Sequence, residues 1–269
     1  MPDVKPLSDL PNPGDEPPDL ARRFGGLARL YGAAGAERIR RAHLVVVGLG
    51  GVGSWAAEAA ARSGVAELTL IDLDHIAESN INRQAHALDT TLGQAKVLAM
   101  RERIAHINPQ CRVNAIEDFV DAQNWPQIAA LDGPFDLSLT GVIDACDQVK
   151  AKTAMAAWAM RAKALFIAVG AAGGKRLAHK VDIDDLSAVT HDPLLAQLRY
   201  RLRKAHNAER VKKIGVSCVF SREAVLQPDA ASSSDGSLNC HGYGSTVSVT
   251  SAFGVCAAGW LIGKIADGS

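Results

Sequence analysis

The chain carries no excess of charge of either sign: Lys plus Arg and Asp plus Glu each total 29 in 269 residues. A balanced chain exerts no long-range pull on nucleic acid or membrane, so any basic surface must be local, and stable DNA binding is not expected. Zinc clips and a disulfide framework are missing as well. Cys111, Cys146, Cys218, Cys240 and Cys256 are odd in number and widely spaced, and no CxxC pair occurs. That pattern argues for a reducing compartment and a cytoplasmic location. The first residues lack the basic-then-apolar order of a signal peptide. Residues 1–21, rich in Pro, Asp and Gly, read as a disordered tail. No internal repeat is found. The uncharged run over residues 245–263 is just long enough to raise the question of a bilayer span. Ser245, Thr246, Ser248, Thr250 and Ser251 make its first half too polar for that role. A helix buried in the protein is the expectation there, with membrane association the alternative.

What is present is a chain that is 48% hydrophobic, able to bury one large core within a single α/β unit. Leu44-Val45-Val46-Val47 is a short β-branched run ending in glycines, which suits a buried parallel strand. The glycines of Gly48-Leu49-Gly50-Gly51-Val52-Gly53 then form a turn. Residues 54–62 are mainly alanine with good helix formers, Gly64 stands where a helix stops, and Leu68-Thr69-Leu70-Ile71 reads as a second strand closed by Asp72. Strand, glycine turn, helix and strand make a βαβ unit. Val97, Met100, Ile104 and Ile107 recur at helical spacing before Asn108-Pro109. Further strands are expected at Val142-Ile143 and residues 165–169, with an Ala-rich helix over residues 148–162 between them. This alternation predicts an α/β, Rossmann-like fold: a mostly parallel sheet with helices on both faces. Residues 22–172 form its core. Residues 173–269 form a C-terminal extension, packed with the core as one unit and ending in a long apolar helix. The extension should hold a strand near Val181 and Ile183 and an amphipathic helix opened by Asp192-Pro193, with Leu195, Leu198 and Leu202 inward. Residues 228–244, crowded with Ser, Gly, Asp and Asn, form a long loop of the kind that is often functional.

The glycines at 48, 50, 51 and 53 let backbone N–H groups approach phosphates, and Asp72 at the second strand's end is placed for ribose hydroxyls. These parts say nucleotide without saying which one. More discriminating is the polar run from Asp72 through Asp74, Asn80 and Arg83 to Gln84. Hydride transfer needs no such cluster. Cleavage of ATP does, because charge developing on phosphoryl oxygens must be met by cations and fixed donors, here Arg83 and Lys96. Taken singly, each would also pass for a solvated surface cation. In Val142-Ile143-Asp144-Ala145-Cys146-Asp147 a strand runs out into acids where ligands bind in open α/β sheets. One of them is a candidate Mg²⁺ ligand; for Asp147 the alternative is a helix N-cap.

The combination of Gly48–Val65 with residues 68–84, Gly93-Gln94-Ala95-Lys96-Val97 and residues 142–147 resembles the ubiquitin-activating-enzyme-like adenylating superfamily, over roughly residues 22–172. The resemblance implies that Asp72 binds the ribose, that Arg83 and Lys96 contact the phosphates of ATP, that Asp147 supports Mg²⁺, and that Asn80 lines the site. A narrower resemblance covers nearly the whole chain. Arg23-Phe24-Gly25-Gly26, Ala28-Arg29-Leu30-Tyr31-Gly32, residues 215–221 and the Cys240 loop before an apolar tail are similar to the tRNA threonylcarbamoyladenosine dehydratases. That family uses ATP to close the threonylcarbamoyl side chain of an adenosine beside the anticodon into a ring. The likeness implies tRNA as partner, and a homodimer. It also gives a functional reading to Arg199, Arg201, Arg203, Lys204, Arg210, Lys212 and Lys213 as a surface for RNA phosphates, against the commoner fate of such runs, a solvated helix face. Cys240 could accept sulfur from a cysteine-desulfurase-type partner, as cysteines in adenylating relatives do, or be an unreactive loop thiol. The alternative substrate is the C-terminus of a ubiquitin-like sulfur carrier, against which the missing zinc cysteines count. A non-catalytic nucleotide-binding scaffold is disfavoured by Arg83, Lys96 and Asp147, and a nicotinamide-dependent dehydrogenase by the run from Ser79 to Gln84.

Overall fold

The computed structural model describes residues 18–226 and 243–268. The expected long loop falls almost wholly outside the described residues, as do Cys240 and most of the expected N-terminal tail. In chain order the elements are α1 (Leu20–Arg41), β1 (His43–Val47), α2 (Gly53–Arg62), β2 (Glu67–Ile71), α3 (Lys96–Ile107), β3 (Arg112–Ile116) and β4 (Thr140–Asp144). There follow α4 (Val149–Ala162), β5 (Leu165–Val169), β6 (Val181–Asp185), α5 (Pro193–Ala205), β7 (Ser217–Ser221) and α6 (Val247–Asp267). The strands form a 7-stranded sheet in the order β3-β2-β1-β4-β5-β7-β6. Every pairing is parallel except that of the edge strand β6 with β7.

Side-chain alternation divides the core in two. Leu44 and Val46 of β1 face a cluster built with α2, α3 and α6, whereas Val45 and Val47 face a second cluster that includes α4 and α5. The chain leaves β1 toward β2 and β3, then returns to add β4 on the other flank of β1, with Val47 in register with Ile71 on one side and Asp144 on the other. The order therefore reverses beside β1, and a crevice opens at the carboxyl ends of the strands.

The apolar run near the C-terminus becomes α6, which is long and apolar enough to cross a membrane by length and composition, yet packs within the protein. Phe253, Ala257, Leu261 and Ile265 are fully buried. At Gly254 a Cβ would lie 2.3 Å from the Val52 carbonyl oxygen, so the backbones of α6 and α2 touch. The far end of α6 is capped by Arg38 of α1, whose Nε donates to the carbonyls of Ile265 and Ala266 at 3.0 Å.

Three elements depart from the sequence expectation. Asp19 caps α1 by accepting from the Arg22 N–H at 3.0 Å, so the helix starts at Leu20 and the expected tail ends earlier than residue 21. This glycine-rich helix bends at Gly32, where φ is 72°, and its glycines hid it. Strand β3 is an edge strand with Arg112 and Asn114 among its residues and no apolar run to announce it. Strand β7 was not expected; it pairs with β5 on one side and on the other with β6, the strand expected near Val181 and Ile183, so the extension shares the sheet of the core.

Candidate active site

The crevice beside β1 is floored by the glycine turn. Gly48 has φ 86° and lies so close to the loop after β4 that a Cβ would stand 2.9 Å from the Ala145 carbonyl oxygen. At Gly53 a Cβ would meet the Gly48 carbonyl oxygen at 1.7 Å, which only glycine avoids. Gly50 faces open space, and the position of a Cβ on Gly51 falls 3.1 Å from Thr250 of α6 and 3.2 Å from Arg83. The turn is thus held by protein on its flanks and left open at Gly50, where a phosphate can approach.

Asp72 fixes the turn from the end of β2. Its carboxylate accepts from the Leu49 N–H at 2.5 Å and from the Asp74 N–H at 2.8 Å. Burial raises its pKa, opposed by the Lys96 charge and by those backbone donors. Lys96, the first residue of α3, is 5% exposed, with Nζ 2.6 Å from Asp74 Oδ2 and 3.9 Å from Asp72 Oδ1. It is not a solvated surface cation. Arg83 is held over the turn: its guanidinium donates to the Ser79 carbonyl at 2.6 Å and to Asn82 Oδ1 at 2.9 Å, and its own carbonyl accepts from Trp55 Nε1 at 2.9 Å. Asn80 is buried and spends its Oδ1 on the Ala77 N–H at 3.0 Å, shaping the turn that presents Arg83. Gln84 is buried too, and its Oε1 has no hydrogen-bond partner among the described residues. Asn82 Nδ2 donates to the Ser245 carbonyl at 3.2 Å, joining this polar run to the entrance of α6.

On the other side of the crevice the two acids separate. Asp144 is not available at the sheet edge: it is fully buried, 2.9 Å from Lys152 Nζ, which is fully buried as well. The same ammonium donates to the carbonyls of Asp144 and Val169, at 3.2 and 3.0 Å, and so clasps the ends of β4 and β5. Lys152 escaped the sequence reading because nothing in an alanine-rich helix marks one lysine as buried. Asp147 is exposed and makes no hydrogen bond or ion pair among the described residues. The helix-cap alternative for it is corrected: the N-cap of α4 is Gln148, without a side-chain bond. No group of three or more His, Cys, Asp or Glu among the described residues is arranged to hold a metal unaided. A single carboxylate at the mouth does fit Mg²⁺, which usually keeps waters and binds one or two carboxylates together with substrate phosphates. Cys146 offers no nucleophile, since burial first and the Asp144 charge second push its thiol well above the ordinary range.

The basic run resolves into two kinds of residue. Arg199 donates to the carbonyls of Leu186 and Val189, and Arg203 to those of Glu209 and Arg210, so these guanidiniums hold backbone rather than offering themselves to phosphate. Arg201, Lys204, Lys212 and Lys213 are exposed. Helix α5 starts at the nucleotide edge, where Asp192 accepts from the Ala171 N–H at 2.9 Å. It ends at the opposite edge, near Asp185 and the start of β7, where Ile214 N–H bonds Asp185.

His86, next to the polar run, is 1% exposed and neither ring nitrogen has a hydrogen-bond partner among the described residues. Burial, then the charges of Lys96 and Arg103, lower its pKa to about 4 from 6.5. The folded state therefore stays neutral where the unfolded state binds a proton, and stability falls as pH drops from 6.5 toward 4. At roughly 1.4 kcal/mol per unit, this group makes the protein about 2 kcal/mol less stable at pH 5 than above pH 6.5. Urea melts should show that loss, and His86→Gln should shallow it; equal slopes in the two proteins would remove His86 from the account.

With this geometry in place, comparison with known proteins is informative. The ThiF family pattern matches residues 22–263. The tRNA threonylcarbamoyladenosine dehydratase of Haemophilus influenzae is 42% identical over 249 residues, covering 91% of this chain and 93% of that one. The crystal structure of the Escherichia coli tRNA N6-threonylcarbamoyladenosine dehydratase in complex with ATP superposes with a TM-score of 0.82 at 41% identity, over 92% of this chain and 96% of that one. The molybdopterin-synthase adenylyltransferase of Escherichia coli is 34% identical over 129 residues, 48% of this chain and 49% of that one. A glycine turn braced by Asp72, cations at 83 and 96, and a likeness that runs almost end to end all lead to one assignment: the chain belongs to the ThiF family.

Proposed function

We propose that this protein closes the threonylcarbamoyl side chain of a modified adenosine in tRNA into a ring, driven by ATP. The observation that carries the reading is the nucleotide crevice of Asp72, Lys96 and Arg83 in a chain similar over nearly its full length to dehydratases of that tRNA nucleoside. A carboxylate oxygen of the threonyl group attacks the α-phosphorus of ATP, and pyrophosphate leaves. The carbamoyl group of the same side chain then attacks the activated carbonyl carbon, the acyl–oxygen bond to phosphate breaks, and AMP departs. One water is removed in total. Both partners of the second step sit in one substrate, so the protein has mainly to orient them and keep water out. Burial and the Asp144 charge disfavour the thiolate of Cys146, in keeping with a route that needs no protein nucleophile.

In this reading Asp72 receives the ribose hydroxyls, the N–H groups around Gly50 receive phosphate oxygens, and Arg83 and Lys96 meet the charge that grows as pyrophosphate departs. Asp147 would hold Mg²⁺, which adds positive charge beside the phosphates. The same reading places the enzyme in the cytoplasm, with its substrates. Adenylation of a ubiquitin-like sulfur carrier is less well supported, because the likeness to such adenylyltransferases is confined to about half of the chain. The test is mass spectrometry of nucleosides from tRNA of a strain lacking the protein. Open-chain threonylcarbamoyladenosine should accumulate and the ring form should return with the protein and ATP; an unchanged nucleoside profile rejects the proposal.

A further inference from the structure

On the face of the sheet covered by α4 and α5, a groove of about 680 Å³ is lined by Lys150 and Arg161 of α4, by Arg201 and Lys204 of α5, and by His206. Among the described residues no aspartate or glutamate lines it. Elsewhere many cations are matched: Arg62 and Arg103 with Glu58, Arg112 with Glu67, Arg222 with Asp182. Lys150, Arg161 and Arg201 have no ion-pair or hydrogen-bond partner among the described residues, and Lys204 Nζ lies 5.7 Å from the centre of the Tyr200 ring. Asp121, next to Ala122 in the lining loop, has its carboxylate turned to the N–H groups of Gln123 and Asn124. Like charges collected around one hollow repel, and an anion entering it relieves that repulsion.

The groove also has an aromatic wall. Trp158 of α4 is partly exposed and stands edge to face with Trp125, ring centroids 5.4 Å apart. Trp125 is 6% exposed, and its indole N–H has no hydrogen-bond partner among the described residues. Position adds the third argument. Lys150 lies in the first turn of α4, three residues after Asp147 at the nucleotide edge, and Arg161 lies in its last turn. At about 1.5 Å per residue, the track from one to the other runs about 16 Å down the sheet, room for a few nucleotides of single strand.

We infer that this groove is an RNA-binding track that leads single-stranded nucleotides away from the ATP crevice, with phosphates on Lys150, Arg161, Arg201 and Lys204 and a base against Trp158. The inference rests on tRNA being the substrate, and it enlarges the RNA footprint expected on α5: the contact is a cleft between two helices, not one basic helix face. It also explains how a basic helix that ends far from the nucleotide serves the same substrate, since an anticodon-loop strand whose modified base enters the crevice beside Asp147 continues along α4.

The experiment compares wild type, Lys150→Glu/Arg161→Glu and Trp158→Ala with threonylcarbamoyl-modified tRNA, measuring tRNA affinity across a salt series. ATP affinity on the same preparations reports whether each variant is folded. The charge-reversed protein should bind tRNA at least about tenfold more weakly, with the slope of log affinity against log salt reduced by about 2. Trp158→Ala should lose affinity for an unpaired anticodon-loop RNA while binding a fully paired hairpin of equal length as wild type does. If Trp158→Ala fails to bind ATP, the charge pair decides the matter. Wild-type tRNA affinity and salt slope in Lys150→Glu/Arg161→Glu would overturn the groove while leaving the dehydratase reading intact. Absence of tRNA binding and turnover in the wild type would overturn both.

Discussion

Replacing Lys96 by alanine should lower ATP-dependent turnover by about two to three orders of magnitude, and Arg83→Ala should do the same. Both cations flank the glycine turn, and removing one donor that meets charge in the transition state costs on the order of 3 kcal/mol. The geometry adds a distinction between them. Lys96 is buried against Asp72 and Asp74, so its loss also leaves a buried carboxylate without its counter-charge and pushes the Asp72 pKa further up. Lys96→Ala should therefore lose ATP affinity and thermal stability as well as kcat. The Arg83 guanidinium bonds only local groups on its own turn, so Arg83→Ala should lose mainly kcat. Steady-state kinetics with ATP titration separates the two, and turnover within about threefold of wild type in either variant removes that residue from the mechanism.

The largest effect on folding is expected at Lys152. This ammonium and Asp144 are both fully buried, and Lys152 also holds the carbonyl ends of β4 and β5. Lys152→Met strands a carboxylate in the core, a change that costs about 3–5 kcal/mol. For a chain of this size that lowers the melting temperature by about 10 °C. The double variant Lys152→Met/Asp144→Asn should recover much of the loss, because the uncompensated charge is gone. A single-variant melt within about 3 °C of wild type would show that the pair contributes little. Because the pair sits directly behind Ala145, which touches Gly48, the destabilised protein should also bind ATP less well.

The parts of the molecule that the sequence announced share a physical signature. Strands β1 and β2 are buried on both faces and the glycine turn is held by protein on its flanks, so their residues are forced into β-branched runs, glycines and a terminal acid that read directly from the chain. Lys96 lies against Asp72, and Arg83 beside Gly51, because short connections hold them near that turn. Edge strand β3 could not be seen, since one flank faces solvent and its residues are half polar. The kinked α1 was hidden by its own glycines. Thr250 was read only as a polar residue in an apolar run; that it abuts Gly51 depends on α6 crossing back over α2, a contact made by residues some two hundred positions apart. The residues alone left either Asp144 or Asp147 as a candidate Mg²⁺ ligand. Burial opposite Lys152 separates them, and that needs α4 folded against β4 to be visible. The basic run over residues 199–213 showed its charge but not its use: Arg199 and Arg203 went to backbone carbonyls, while Arg201 and Lys204 joined Lys150 and Arg161 from another helix.

The most direct measurement is pyrophosphate release from ATP by the wild-type protein with threonylcarbamoyl-modified tRNA as the sole acceptor. Release in proportion to the modified adenosine supplied, with AMP and the ring-closed nucleoside as the other products, is the result predicted here. No release with that tRNA, but release on adding a ubiquitin-like carrier protein, would contradict the dehydratase reading.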